Sequence, residues 1–285
     1  MINSLQRPLN CNTLFLSDIH LGYKDCKADF LLDLLNQVDC KTLFLIGDIV
    51  DLWAMKSSIH WPASHQRVLQ KLIQMASDGT RIVYVPGNHD SPMRDFVDSR
   101  IMDVEIHMEY THTTADGKKL LLVHGDQFDS AVICGPLQKI IGYCSYSILL
   151  RINGINNRVR RWLRLPYWSL AYYIKNKVKN ARSAIEKFER AAAAEAHKRG
   201  LDGIVCGHIH QPEMRHYGDT LYCNDGDWLE SCTALVENVD GSLELLHWGD
   251  YKQAIKTEPA ANDNYSLVST LPMRSKSREL RIANK

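Results

Sequence analysis

The chain has 285 residues, 45% of them apolar, with 34 Lys or Arg balanced by 33 Asp or Glu. That length suits one large domain or two small ones, and that apolar share excludes global disorder. A net charge of +1 excludes a chain-wide polycation that coats nucleic acid. The balance conceals an asymmetry, because residues 151–190 carry eleven Lys or Arg against Glu186 and Glu189. Eight cysteines form no CxxC pair, and no signal-type apolar stretch opens the chain, so a reduced, cytoplasmic protein is expected. The most apolar stretch, residues 140–150 between Lys139 and Arg151, is too short to span a bilayer.

In chain order, β-branched or Leu-rich runs at 13–17, 42–46, 81–85, 120–123 and 203–205 predict five buried strands. Phe30, Leu31, Leu34, Leu35 and Val38 repeat at helical spacing between the first two. Val68, Leu69, Leu72, Ile73 and Ala76 do so before Gly79, a helix stop. Strand and helix alternate, the pattern of an α/β domain whose sheet is covered on both faces. The rhythm breaks after Val123, and residues 131–199 read as a helical insertion between core segments 1–130 and 200–250. Its first part is apolar and aromatic, with Tyr143, Tyr146, Trp162, Trp168, Tyr172 and Tyr173, most of them expected to fill a small helical core. Residues 171–199 predict one long helix ended by Gly200. Residues 233–236 and 243–246 predict antiparallel strands, and 256–285 a disordered tail.

The residues just past each strand carry the chemistry: Asp18 and His20 in SDIH, Asp48 in GDIVD, Asn88, His89 and Asp90 in GNHD, His124 in HGD, and His208 and His210 in GHIH. The carboxyl ends of strands in an open parallel sheet line one crevice, so these distant clusters are expected to converge. Asp18, Asp48, Asn88, His20, His124, His208 and His210 offer hard or borderline donors and no thiolate, a set that suits Mn, Fe or Zn. Any one of them alone is more often a turn former or helix cap. Gly47, Gly87, Gly125 and Gly207 are expected to let the chain turn beside the metals. Cys206, next to GHIH, reads as a buried strand residue.

Together the five clusters resemble the calcineurin-like metallophosphoesterase superfamily, with its pattern DxH, GDxx[DE], GNH[DE], a later HGD and GHxH. The resemblance implies a four-layer αββα sandwich and two divalent cations, Mn foremost. One would be held by Asp18, His20, Asp48 and His210; the other would share Asp48 and add Asn88, His124 and His208. His89 would be the non-ligand acid, oriented by Asp90, with Asp51 a supporting acid rather than a ligand. Water activated between the metals would attack phosphorus in line.

The segments SDIHLG, GDIVDLW, HGDQFD and NDGDWLE, with the helical insertion, resemble the UDP-2,3-diacylglucosamine diphosphatase branch, which releases UMP and a diacylglucosamine 1-phosphate in lipid A synthesis. The best-characterised members carry arginine where this chain has His89. The resemblance implies a nucleotide-linked glycolipid substrate and an insertion acting as an acyl-binding lid. Its basic charge would meet pyrophosphate and the anionic inner-membrane surface. Arg94 is a candidate phosphate contact, the alternative being an exposed loop arginine. Two further readings stand beside this one: a phosphoesterase of nucleotides, phosphoproteins or nucleic acid, and a basic nucleic-acid or membrane binder with a structural metal. The second is disfavoured because every ligand position is filled and the non-ligand His89 is present. The residues leave the oligomeric state open.

Overall fold

A computed structural model describes residues 9–132, 159, 160, 162, 163 and 179–249. The five predicted strands form, as β1 (Leu9–Leu16), β2 (Val38–Ile46), β3 (Arg81–Val85), β7 (Lys119–Leu122) and β8 (Gly203–Cys206). They do not share one open sheet. β1, β2 and β3 run parallel at the centre of a seven-stranded sheet. That sheet is completed on one side by the antiparallel β11 (Thr233–Glu237) and β12 (Leu243–His247), and on the other by β5 (Val104–Ile106) and β4 (Arg100–Ile101). β7 and β8 run parallel in a second, five-stranded sheet with β6 (Tyr110–Thr113), β10 (Thr220–Asn224) and β9 (Glu213–Tyr217). Five strands alike in sequence thus divide between two sheets, because all of them bury both faces and nothing local separates them.

The inner faces of the sheets share a core. Phe15, Phe44, Ile46 and Val83 from the first sheet meet Leu120, Leu122, Val205 and Cys223 from the second, and Phe15 stacks on Phe44 with centroids 5.4 Å apart. His112 on β6 reaches across to Glu237 on β11, with Nε2 2.7 Å from the carboxylate, which ties the layers at one edge. The outer face of the first sheet is covered by α1 (Ala28–Leu35) and α3 (Ala63–Ser77). Their buried Leu31, Leu34, Leu35, Val68 and Leu72 follow the predicted apolar spacing. The outer face of the second sheet is covered by α4 (Lys179–Lys198), through Phe188, Ala192, Ala193 and Ala196. The order is therefore helix, sheet, sheet, helix, the four-layer αββα sandwich of the sequence reading.

The predicted helix at 171–199 is described from Lys179 and ends at Gly200 as expected, the Gly200 amide bonding to His197 O at 2.9 Å. Most of the aromatic insertion and the tail at 256–285 lie outside the described residues. Of the aromatic set only Trp162 is among the described residues, and it is 82% exposed.

Candidate metal centre

Each strand tip delivers its cluster to the same end of the sandwich. Asp18 and His20 follow β1, Asp48 follows β2, Asn88 and His89 follow β3, His124 follows β7, and His208 and His210 follow β8. The convergence inferred from an open sheet holds, although the crevice lies between two sheets. Asp18, His20 and His210 bring ligand atoms within 4.8 Å of one another, and so do Asp18, Asp48 and His124. Asp18, His20, Asp48 and His124 are buried.

The backbone is strained where these residues sit. Asp18 (φ 49°), His20 (54°), Asp48 (54°), His208 (69°) and His210 (51°) all lie in the left-handed region, at a cost on the order of 1–3 kcal/mol each. Five of the nine described non-glycine residues with positive φ are thus predicted ligands, so the strain is concentrated where the side chains must be aimed. Three of the neighbouring glycines are required by close approach, Gly47 among them because a Cβ there would collide with the His124 side chain. A Cβ on Gly87 would collide with the Asp48 carboxylate, and one on Gly207 with the Ser17 hydroxyl and the Asp18 carboxylate. Of the four glycines noted in the sequence, Gly47 and Gly125 have positive φ.

Hydrogen bonds fix which atom of each side chain is left for a cation. His20 donates Nδ1–H to Asp51 Oδ2 at 3.0 Å, His124 donates Nδ1–H to Ile46 O at 3.0 Å, and His208 donates Nε2–H to Asp129 Oδ1 at 2.8 Å. The remaining nitrogens are Nε2 of His20, Nε2 of His124 and Nδ1 of His208. Asp48 Oδ1 accepts the His89 amide at 2.8 Å. Asp48 Oδ2 lies 3.8 Å from His20 Nε2 and 3.4 Å from His124 Nε2, between one ligand of each expected metal. Asn88 Oδ1 is 3.1 Å from the same His124 nitrogen. His210 Nε2 and His20 Nε2 lie 3.1 Å and 3.8 Å from Asp18 Oδ1. His208 packs its ring 5.1 Å from that of His124.

Asp18 Oδ1 and His20 Nε2 are buried and make no hydrogen bond. Buried polar atoms left in that state cost about 1–3 kcal/mol each; Asp18 Oδ1 faces His210 and His20, and His20 Nε2 faces Asp18 and Asp48. Bonds of about 2.0–2.2 Å from N and O ligands to one ion put neighbouring ligand atoms near the separations seen here. Electrostatics agree. Burial alone would raise the Asp18 and Asp48 carboxyls, but the nearby histidines hold both well below the usual range. Burial would lower His124, yet Asp48 and Asp18 push it up to about 10. The buried carboxylates therefore favour positive charge beside them, which a cation would also supply. The donor set fits a divalent metal site.

The supporting residues differ from expectation. Asp90 does not orient His89: it accepts the Gly87 amide at 2.6 Å, the Ile49 amide at 2.7 Å and the Tyr84 hydroxyl, which locks the GNHD loop to the β2 tip. His89 is held by Asp51, Nδ1–H donating to Oδ1 at 2.9 Å. Asp51 also caps α2 (Leu52–Met55), accepting the Ala54 amide at 2.7 Å. Arg94 donates to both oxygens of Asp126 at 2.9 Å, so it joins the GNHD and HGD loops instead of standing in solvent. Cys206 is a buried strand residue as read. Sequence reasoning assigned no role to Asp129 behind His208, or to Ser17, whose hydroxyl lies 2.7 Å from Asp18 Oδ2 and 2.6 Å from Asp225. The available signal was their place inside SDIH, HGDQFD and NDGDWLE, where a lone Ser or Asp also reads as turn chemistry.

The family profile described as calcineurin-like phosphoesterase matches residues 12–212. Among relatives, a UDP-2,3-diacylglucosamine hydrolase of Aliivibrio fischeri is 22% identical over 259 residues, covering 84% of this chain and 99% of that protein. A second protein of that name, from Porphyromonas gingivalis, is 26% identical over 120 residues, covering 40% of this chain and 45% of its own length. Among solved structures, the phosphoesterase Yfce from E. coli aligns with a TM-score of 0.41 at 16% identity, covering 82% of this chain and 98% of that one.

Proposed function

The chain belongs to the calcineurin-like phosphoesterase family and is a metal-dependent phosphoesterase; from that premise we propose that two divalent cations, Mn²⁺ foremost, serve it in cleaving the pyrophosphate of UDP-2,3-diacylglucosamine. The products are UMP and 2,3-diacylglucosamine 1-phosphate. The observation that carries the reading is the convergence of five strand tips on a buried cluster in which Asp18, His20 and His210, and likewise Asp18, Asp48 and His124, bring ligand atoms within 4.8 Å of one another. The substrate is supported by the names of the two relatives.

When bound, the cations supply an activated water and draw charge from the phosphoryl oxygens. The residues of this chain do the rest. Asp18, His20 and His210 would hold one cation and Asn88, His124 and His208 the other, with Asp48, which lies between His20 and His124, common to both. Asp51 fixes the His89 ring through Nδ1, leaving Nε2 as the nitrogen that would serve the leaving oxygen. Ser17, Asp129 and Ile46 O keep the ligands from rotating.

The insertion at 131–199 serves in this reading as the lid for acyl chains, its basic charge drawing the protein to the anionic inner-membrane surface, with the body of the protein in the cytoplasm. No helix among the described residues is long and apolar enough to cross a membrane.

One observation favours a second reading, a phosphoesterase of small soluble esters. A departing phosphate needs little help from an acid, whereas an alkoxide needs a proton, and His89 is held ready to give one. Hydrolysis of UDP-2,3-diacylglucosamine, UDP-glucose, a dinucleotide and a phosphopeptide, at matched concentrations with Mn²⁺, separates the two. A kcat/KM for the diacylated substrate about tenfold or more above the others, a difference of about 1.4 kcal/mol, supports the glycolipid reading. Equal or reversed values contradict it.

A further inference from the structure

Trp53 occupies an unusual place for a tryptophan. It sits on α2, a single short turn in which no residue is buried, and it is 52% exposed. Its position is nonetheless fixed. The Trp53 amide donates to His89 O at 3.1 Å, and the turn is capped by Asp51, the residue that orients His89. The indole meets the His89 imidazole edge to face, with centroids 5.2 Å apart and planes at 77°. The other neighbour of that imidazole is His20, 4.8 Å away at 88°. His89 therefore stands between a predicted metal ligand and a half-exposed indole.

Proton transfer from His89 requires the leaving oxygen to come within about 2.6–3.2 Å of the ring nitrogen. In the proposed hydrolysis that oxygen belongs to a phosphoryl group, and the ring esterified to that group extends beyond it into surroundings that include the indole, whose centroid is 5.2 Å from the imidazole. Indole offers a broad apolar face that favours flat partners and the C–H faces of sugars. We propose that Trp53 is a specificity-determining residue, an aromatic wall that receives the ring of the leaving group. That ring is a hexose or a nucleoside linked through phosphate. The proposal rests on the hydrolysis described above and adds which part of the substrate is selected, and by what.

Three uridine diphosphate substrates isolate the effect, since each releases UMP while the rest of the leaving group varies: UDP-glucose, the methyl ester of UDP, and diuridine diphosphate. Trp53→Ala is expected to raise KM for UDP-glucose about 3- to 10-fold relative to the methyl ester, with kcat changed less, and Trp53→Phe to restore most of the difference. A response by the dinucleotide alone assigns the wall to a nucleobase; a response by UDP-glucose assigns it to a hexose. Equal changes for ringed and methyl substrates, or a fall in kcat alone for all three, would reduce Trp53 to a shield for His89 and overturn the proposal. A binding measurement keeps the question apart from turnover. With Mn²⁺ present, glucose 1-phosphate or UMP should quench indole fluorescence in the wild type and quench it less in Trp53→Phe. Identical quenching overturns the wall, whereas absence of turnover with UDP-2,3-diacylglucosamine overturns the proposed hydrolysis instead.

Discussion

Asp51 divides its two oxygens between histidines of different kinds: Oδ2 accepts from His20, a predicted ligand, and Oδ1 from His89, the proposed acid. Burial alone would raise this carboxyl, but those two hydrogen bonds hold it well below the usual range. Asp51→Asn keeps the shape and removes the charge, so one of the two rings loses its acceptor. On a substrate with an unactivated leaving group, kcat/KM is expected to fall roughly 10²–10⁴-fold, as for His89→Ala. The double variant should cost little more than either single one, because both act through the same proton. Losses that multiply would show that Asp51 and His89 act separately. The ligand types were legible in the sequence, since DxH, GNHD and GHIH name their own donors. The partners behind them were not. Asp51 meets His89 across 38 residues of chain and Ser17 meets Asp225 across 208, and no local pattern encodes such pairs. The misreading of Asp90 has the same origin: adjacency to His89 in sequence suggested a contact that the turn directs elsewhere, toward Tyr84 and Ile49.

At the scale of elements, apolar runs located the five central strands and the helices α1 and α3, because burial on both faces or along one stripe leaves a strong periodic signal. The edges were less legible. β4 has two residues, β6 alternates intermediate and exposed positions, and β9 reads EMRHY, patterns that loops share. Assignment of β7 and β8 to a separate sheet was likewise unreadable, as their runs match those of β1 to β3. The glycines show how closely the two sheets' tips meet. Gly207, beyond β8, lies against Ser17 and Asp18, beyond β1, so Gly207→Ala should force the sheets' ends apart. Overpacking of that kind costs about 1–3 kcal/mol, about 2–10 °C in Tm for a domain of this size. The rise in Tm caused by Mn²⁺ over chelator should also shrink, since the displaced Asp18 is a proposed ligand. Thermal unfolding with and without Mn²⁺ measures both effects. A lower Tm with an undiminished Mn²⁺ response would separate packing from the metal site.

For the whole molecule, the two-sheet arrangement is what makes a site from residues spread between Asp18 and His210. Neither sheet holds the full proposed ligand set: the first contributes Asp18, His20, Asp48 and Asn88, and the second His124, His208 and His210. Docking of the sheets through Phe15, Phe44, Leu122 and Val205 therefore completes the centre, and metal binding should in turn favour the docked state. The most direct measurement is anomalous scattering from a crystal grown with Mn²⁺. Two peaks about 3.5–4 Å apart are expected, one beside Asp18, His20 and His210, the other beside Asn88, His124 and His208, with Asp48 touching both. A single peak, or none there at saturating Mn²⁺, would contradict the dinuclear centre.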